Sequence, residues 1–150
     1  IRGSQLVVGA PGHQYDNDNL TVIGPNFGAV FVYEKVSNVW NFVDKIVDWT
    51  LDRREGDLTG TKSAGDGTVL FITSPGQNTS DKHRAELENA GAVYVFNWNG
   101  SQWVYFQKLT PLIRYEGDEF GYDIDVKGKI AVISSIKHTR NVNETTPITD

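Results

Sequence analysis

The 150-residue sequence reads as all-β, a set of small antiparallel sheets stacked face to face, and three observations lead there. The first is composition: 16 Val, 10 Ile, 12 Thr, 7 Phe, 6 Tyr and 4 Trp stand against 7 Ala and 8 Leu. β-Branched and aromatic side chains pack well on a pleated surface and lose rotamer freedom in a helix. The second is punctuation, because short apolar runs recur between clusters of Gly, Asn and Asp, residues that turn the chain. The third is repetition. Landmarks return at a nearly constant spacing, so each repeat is one supersecondary unit that needs its neighbours to bury its faces.

Taken in order, strands are predicted over 5–8, 29–34, 40–47, 69–73, 92–98, 103–109, 122–126 and 129–134. Each is a run rich in β-branched and aromatic residues, bounded by turn residues. In Ala29-Val30-Phe31-Val32-Tyr33 and in Ala92-Val93-Tyr94-Val95-Phe96 neither alternating set carries a charge. A sheet with one wet face would alternate polar and apolar residues, so these strands are expected to be buried on both sides. A single short helix is predicted over 80–89, inside a long loop.

The repeat is read from several matched landmarks. Gly28-Ala29-Val30-Phe31-Val32-Tyr33 returns 63 residues later as Gly91-Ala92-Val93-Tyr94-Val95-Phe96, and at the same offset Trp40 returns as Trp103 and Lys45-Ile46 as Lys108-Leu109. Ala10-Pro11-Gly12 returns as Ser74-Pro75-Gly76 at an offset of 64, and Gly56-Asp57 with Gly60 as Gly117-Asp118 with Gly121 at 61. One unit is then four strands. The first follows a Gly-Asp turn, and a tight turn leads to the second. A long variable loop precedes the Gly-Ala-Val strand, and a hairpin leads to the last, which begins at Trp40 or Trp103. In the second copy that hairpin turns at Asn99-Gly100, residues that favour positive φ.

This arrangement resembles the FG-GAP repeat family, the blades of integrin α-subunit-type β-propellers. The residues that carry the resemblance are Leu6-Val7-Val8-Gly9-Ala10-Pro11, the two Gly-Ala-Val strands, and Phe120-Gly121 after Gly117-Asp118. It extends to about Ser135. Thr59-Gly60 stands where the pattern has Phe-Gly, and Thr73-Ser74-Pro75 and Ile133-Ser134-Ser135 stand where it has Gly-Ala-Pro. The resemblance implies FG-GAP-like propeller blades over 1–135: a partial blade over 1–55, a complete one over about 56–110 and a partial one over about 117–135. Residues 136–150 fit no strand of the pattern and are expected to form a C-terminal extension or arm. A closed propeller needs roughly 4–8 blades. The chain supplies about 2.4 repeats, so the fold is expected to be incomplete as a monomer. With about ten apolar side chains left half exposed, on the order of 10 kcal/mol of burial would go unrealised. Exposed strand edges are also templates for another chain. Head-to-tail completion by further copies yields rings or open filaments.

The polar residues narrow the chemistry. A net charge of -5 without basic blocks argues against nucleic acid as a partner. The longest apolar runs, such as 29–33, are far too short to span a bilayer. Zero Cys excludes disulfides and thiolate zinc sites, and zero Met implies either a removed leader or a piece of a longer chain. His13, His83 and His138 fall in predicted loops or the tail. His83 lies beside Asp81, but no Ser sits in a strand-to-helix elbow, and the Gly-rich stretches lack a phosphate-loop Lys. Asp57 and Asp118 recur with the repeat, which assigns them to turns. No catalytic residue is assigned, and no enzyme is expected.

Many blades of the family hold Ca²⁺ in an Asp-x-Asp/Asn-x-Asp-Gly loop between their first two strands. The matching positions here are Ala64-Gly65-Asp66-Gly67-Thr68 and Val126-Lys127-Gly128-Lys129. One carboxylate in the first and two lysines in the second do not supply the six or more oxygens that Ca²⁺ takes. No metal ligand, calcium site or other cofactor is therefore carried over. Asp16-Asn17-Asp18-Asn19 is a separate metal candidate, with a solvated polar loop as the plainer reading. Asn-x-Ser/Thr sequons at Asn19, Asn78, Asn99 and Asn143 are candidate N-glycosylation sites; chance would give about 1.5 such motifs. Trp40 and Trp103 are expected to pack between blades. Trp49 and Trp98 have no repeat partner, and Trp98, at a hairpin end, is a candidate surface contact for a sugar or a protein.

The function expected from these features is a non-enzymatic, secreted structural module. It is a glycosylated subunit that assembles into a ring or filament by completing blades between chains, its partners being other copies or neighbouring blades. The alternative is a fragment of a larger cell-adhesion or ligand-binding β-propeller with protein or glycan ligands.

Overall fold

β-Branched and aromatic runs that are short and closely spaced have no route to burial except by pairing with one another, and that is what the computed structural model shows. It describes residues 4–47, 54–78 and 86–138. Among them the chain is all-β, with nine strands in three antiparallel sheets. The first sheet holds β1 (Gln5–Ala10), β2 (Ala29–Val36) and β3 (Val39–Ile46), in that order. The second holds β4 (Ser63–Gly65), β5 (Val69–Ser74), β6 (Ala92–Trp98) and β7 (Trp103–Leu109), and the third β8 (Ile124–Lys127) and β9 (Ile130–Ile133).

The repeat is present in the backbone as well as in the letters. β2 and β3 pair with a bulge between Val32 and Tyr33, and β6 and β7 with a bulge between Val95 and Phe96, 63 residues on. Ala10 opposes Ala29 where β1 meets β2, and Ser74 opposes Ala92 where β5 meets β6. Consecutive sheets are stitched by equivalent backbone bridges, Gly28 to Thr59 and Gly91 to Phe120. Both glycines sit at φ +82°, and a Cβ on them would lie 2.1 Å from the Thr59 carbonyl oxygen and 2.2 Å from that of Phe120. Only glycine fits this approach.

Register assigns the faces. Val7 opposes Val32, and Val30 opposes Ile46, so one side of the first sheet is aliphatic. It meets Leu70, Ile72, Tyr94, Phe96 and Trp103 of the second sheet in one core cluster, with Val7 and Trp98 packed at its rim. β6 is buried on both faces from Ala92 to Phe96, as its uncharged sequence requires. β2 is buried on one face only, since Phe31 and Tyr33 are half-buried.

Three local expectations need correction. β4 is the first strand that the four-strand repeat calls for after Gly56-Asp57, but it is absent from the run of strands read by composition, because three residues containing Ala and Gly carry no β signal. The predicted helix falls mostly on 80–85, outside the described residues, and its end at 86–89 is irregular chain and turn rather than helix. The tight hairpin is also not the one expected at Asn99-Gly100. The β2–β3 turn is the tight two-residue one, with Ser37 and Asn38 both at positive φ, 49° and 67°. The β6–β7 connection runs over 99–102, and only Gly100 is at positive φ, 103°. The Asn99 side chain closes that longer loop, its Oδ1 accepting from the backbone N–H groups of Ser101 and Gln102, both at 3.0 Å.

Candidate functional site

The two repeated aspartates are turn-formers by geometry. Asp57 Oδ2 accepts from the Arg54 N–H and Asp118 Oδ2 from the Tyr115 N–H, each at 2.8 Å, and both residues are buried. Asp118 also faces His138 Nδ1 at 3.2 Å. Two departures from the family pattern meet in space: the Thr59 and Ser74 hydroxyls lie 3.0 Å apart, and Ser74 Oγ donates to the Asp57 carbonyl at 2.8 Å. Here the polar pair occupies a fully buried position by satisfying itself.

The Asp16–Asn19 loop does not provide a cation site. Lys45 reaches into it from β3, and its ammonium donates to the carbonyls of Tyr15 (3.2 Å) and Asp16 and to Asn19 Oδ1 (2.9 Å). Two backbone carbonyls and Asn19 Oδ1 that could have faced a metal face a protein cation instead, and Lys45 itself is buried. Asp18 is committed elsewhere. It accepts from the Thr21 hydroxyl (2.6 Å) and from the backbone N–H groups of Thr21 and Leu20. Those bonds, the hydroxyl first, lower its pKa from 3.8 to about 2. A depressed carboxylate favours the folded loop at any pH above the ordinary value, and this preference is lost as pH falls through about 2. Among the described residues no three His, Asp or Glu gather as a metal would need. Lys45 was visible in the sequence only as a lysine repeating at Lys108 in an apolar setting; what it holds was not. Lys45→Ala is expected to destabilise the fold by about 2 kcal/mol, since hydrogen bonds from a charged group are among the stronger ones. Urea unfolding measures the loss, and amide exchange should quicken at Asp16 and Ile23, whose N–H groups bond within this loop.

The predicted modification sites are dispersed. Asn19 is exposed with Oδ1 held by Lys45. Asn78 is half-buried, its Oδ1 accepting from the Asn89 N–H at 2.9 Å. Asn99 is exposed at the β6–β7 loop, and Asn143 lies outside the described residues, as do His83 and Trp49. Trp98 is half-buried rather than presented to solvent. Its ring lies 5.4 Å from that of Trp103 at the edge of a cleft of about 200 Å³ that also takes in Val43 and Asp44.

A larger cleft of about 350 Å³ opens where β1, β4 and β8 approach, with Gln5, Val7, Ser63, Trp103 and Asp125 among its walls. Its single carboxylate gives it no catalytic pair. No protein-family model matches the chain. Comparison with curated proteins finds no match either.

What the structure brings together most clearly is apolar surface. Leu6 opposes Tyr33, Val8 opposes Phe31 and Tyr33 opposes Phe42, so these side chains share the outer face of the first sheet with Trp40, the partner of Lys35. Tyr33 and Phe42 stack edge to face at 5.9 Å, and Lys35 Nζ lies 5.6 Å from the Trp40 ring centre. Val8 is 42% and Phe42 57% exposed. On the third sheet Ile130 and Val132 are exposed at 69% and 67%. Single exposed apolar residues are ordinary, but clusters on unpartnered sheet faces mark sites of contact.

Proposed function

We propose that the chain is a non-enzymatic, extracellular structural module of β-propeller type, similar to FG-GAP blades. It is a glycosylated subunit that acts by protein contact and assembles with further copies of itself. The observation that carries this reading is that three sheets of one repeat lie in series, joined by equivalent glycine bridges, with apolar faces left open at both ends of the series. Sequons on exposed loops at Asn19 and Asn99 support the secreted, glycosylated part. A second reading, a part of a larger adhesion or ligand-binding propeller, is favoured by the glycine bridges themselves, since this is how consecutive repeats of one chain join.

Light scattering with negative-stain imaging separates the two. The self-assembly reading expects concentration-dependent rings or fibres with a small repeating subunit and an apparent dissociation constant in about the micromolar range. A chain that stays monomeric through about 100 µM refutes it and supports the larger-propeller reading.

A further inference from the structure

We infer that two copies of this chain associate head to tail, the outer face of β1–β3 in one copy seated on the outer face of β8–β9 in the other. The inference rests on the self-assembly reading and names its surfaces. Inside the chain, one interface between successive sheets is already built, and the repeat shows which residues form each half. Its second-sheet half consists of Leu70, Ile72, Tyr94, Phe96 and Trp103. The repeat equivalents of these five are Leu6, Val8, Phe31, Tyr33 and Trp40, the side chains on the outer face of the first sheet. That face is the same half-interface without its cover.

The covering half is displayed at the other end of the molecule. Within the chain it includes Val7, packed against the core cluster, with Val30, Val32 and Ile46. Val7 is equivalent to Phe71 in the second sheet at an offset of 64. Phe71 opposes Ala64 as Val132 opposes Asp125, so the backbone register makes Val132 its equivalent in the third sheet at 61, one residue out of step with the Ile133-Ser134-Ser135 alignment read from the sequence. Val132 and its face-mate Ile130 are the exposed pair on β9. β9 also has a partner, β8, on one edge alone among the described residues, whereas its counterparts β1 and β5 pair onward with β2 and β6. Each molecule therefore carries both halves of an interface whose geometry its own first two sheets illustrate. Two different patches meeting across an interface make a heterologous contact, which propagates instead of closing as a two-fold dimer.

The heterologous character gives a test with opposite outcomes for single variants and for their mixture. Val8→Glu puts a charge on the first-sheet face and Val132→Glu on the third-sheet face, both at exposed positions. Burying an unpaired carboxylate is costly, so each variant alone is expected to lose self-association by more than about 10-fold in sedimentation velocity. An equimolar mixture should form a 1:1 heterodimer and nothing larger, because one intact face of each kind remains. Phe42→Glu and Ile130→Glu form a second pair, and far-UV circular dichroism shows whether each variant retains its sheets. Wild-type assembly unaffected by either substitution overturns the inference and leaves self-assembly standing. Singly silent variants that stay silent when mixed also overturn it, since the two faces then do not pair. A monomeric wild type overturns the self-assembly reading and this inference with it.

Discussion

Gly91→Ala is expected to destabilise the chain by about 3–5 kcal/mol, a large part of the stability of a domain this size. Two costs combine. At φ +82° any side chain is strained, and a Cβ would lie 2.2 Å from the Phe120 carbonyl oxygen and 2.4 Å from its nitrogen. Backbone cannot yield as a flexible side-chain tip can, so the bridge between the second and third sheets must open. Gly117→Ala is the matched control. Its φ is +80°, but nothing lies within 4 Å of the added carbon, so only the conformational cost of about 1–2 kcal/mol remains. Urea unfolding of the two variants measures the difference. Equal losses would mean that the close approach of the sheets contributes nothing beyond backbone strain. If the approach is what matters, the Gly91 variant should also show faster amide exchange at Phe120, whose N–H bonds to the Ala90 carbonyl.

Much of the architecture was legible because repetition and burial leave traces in single residues. Uncharged five-residue runs at 29–33 and 92–96 located β2 and β6, and Trp40 and Trp103 located the starts of β3 and β7 to within a residue. What escaped notice is governed by contacts distant in sequence or by too few residues. β4 exists because Ser63 to Gly65 lie beside β5, which no local propensity announces. The tight turn went to Ser37-Asn38 rather than to Asn99-Gly100, because β7 begins two residues later than a two-residue loop would allow. The acidic loop at Asp16 looked like a cation site, and in a sense it is one. Its cation is Lys45, 29 residues away and joined to it only by the fold. Thr59 and Ser74 looked like separate departures from a family pattern until the sheet brought their hydroxyls together.

Trp103 and Trp40 stand at the same position of the repeat and should respond to truncation in opposite ways. Trp103 is 6% exposed, lies in the core cluster and leans on Trp98. Trp103→Ala is expected to cost about 3–5 kcal/mol through lost burial and the cavity left behind. Its indole nitrogen is buried without a hydrogen-bond partner, so Trp103→Phe removes an unsatisfied donor along with some packing and should cost less than about 1.5 kcal/mol. Trp40 is half-buried on the open face, and Trp40→Ala is expected to cost the isolated chain about 1 kcal/mol or less. Its effect belongs to association. If another copy covers the first sheet as the first covers the second, Trp40 becomes in the assembly what Trp103 is in the monomer, and its truncation should weaken assembly while leaving the urea midpoint of the dilute chain nearly unchanged. A Trp40→Ala chain that assembles like the wild type would show that repeat equivalence ends at the fold and does not extend to the contacts between molecules.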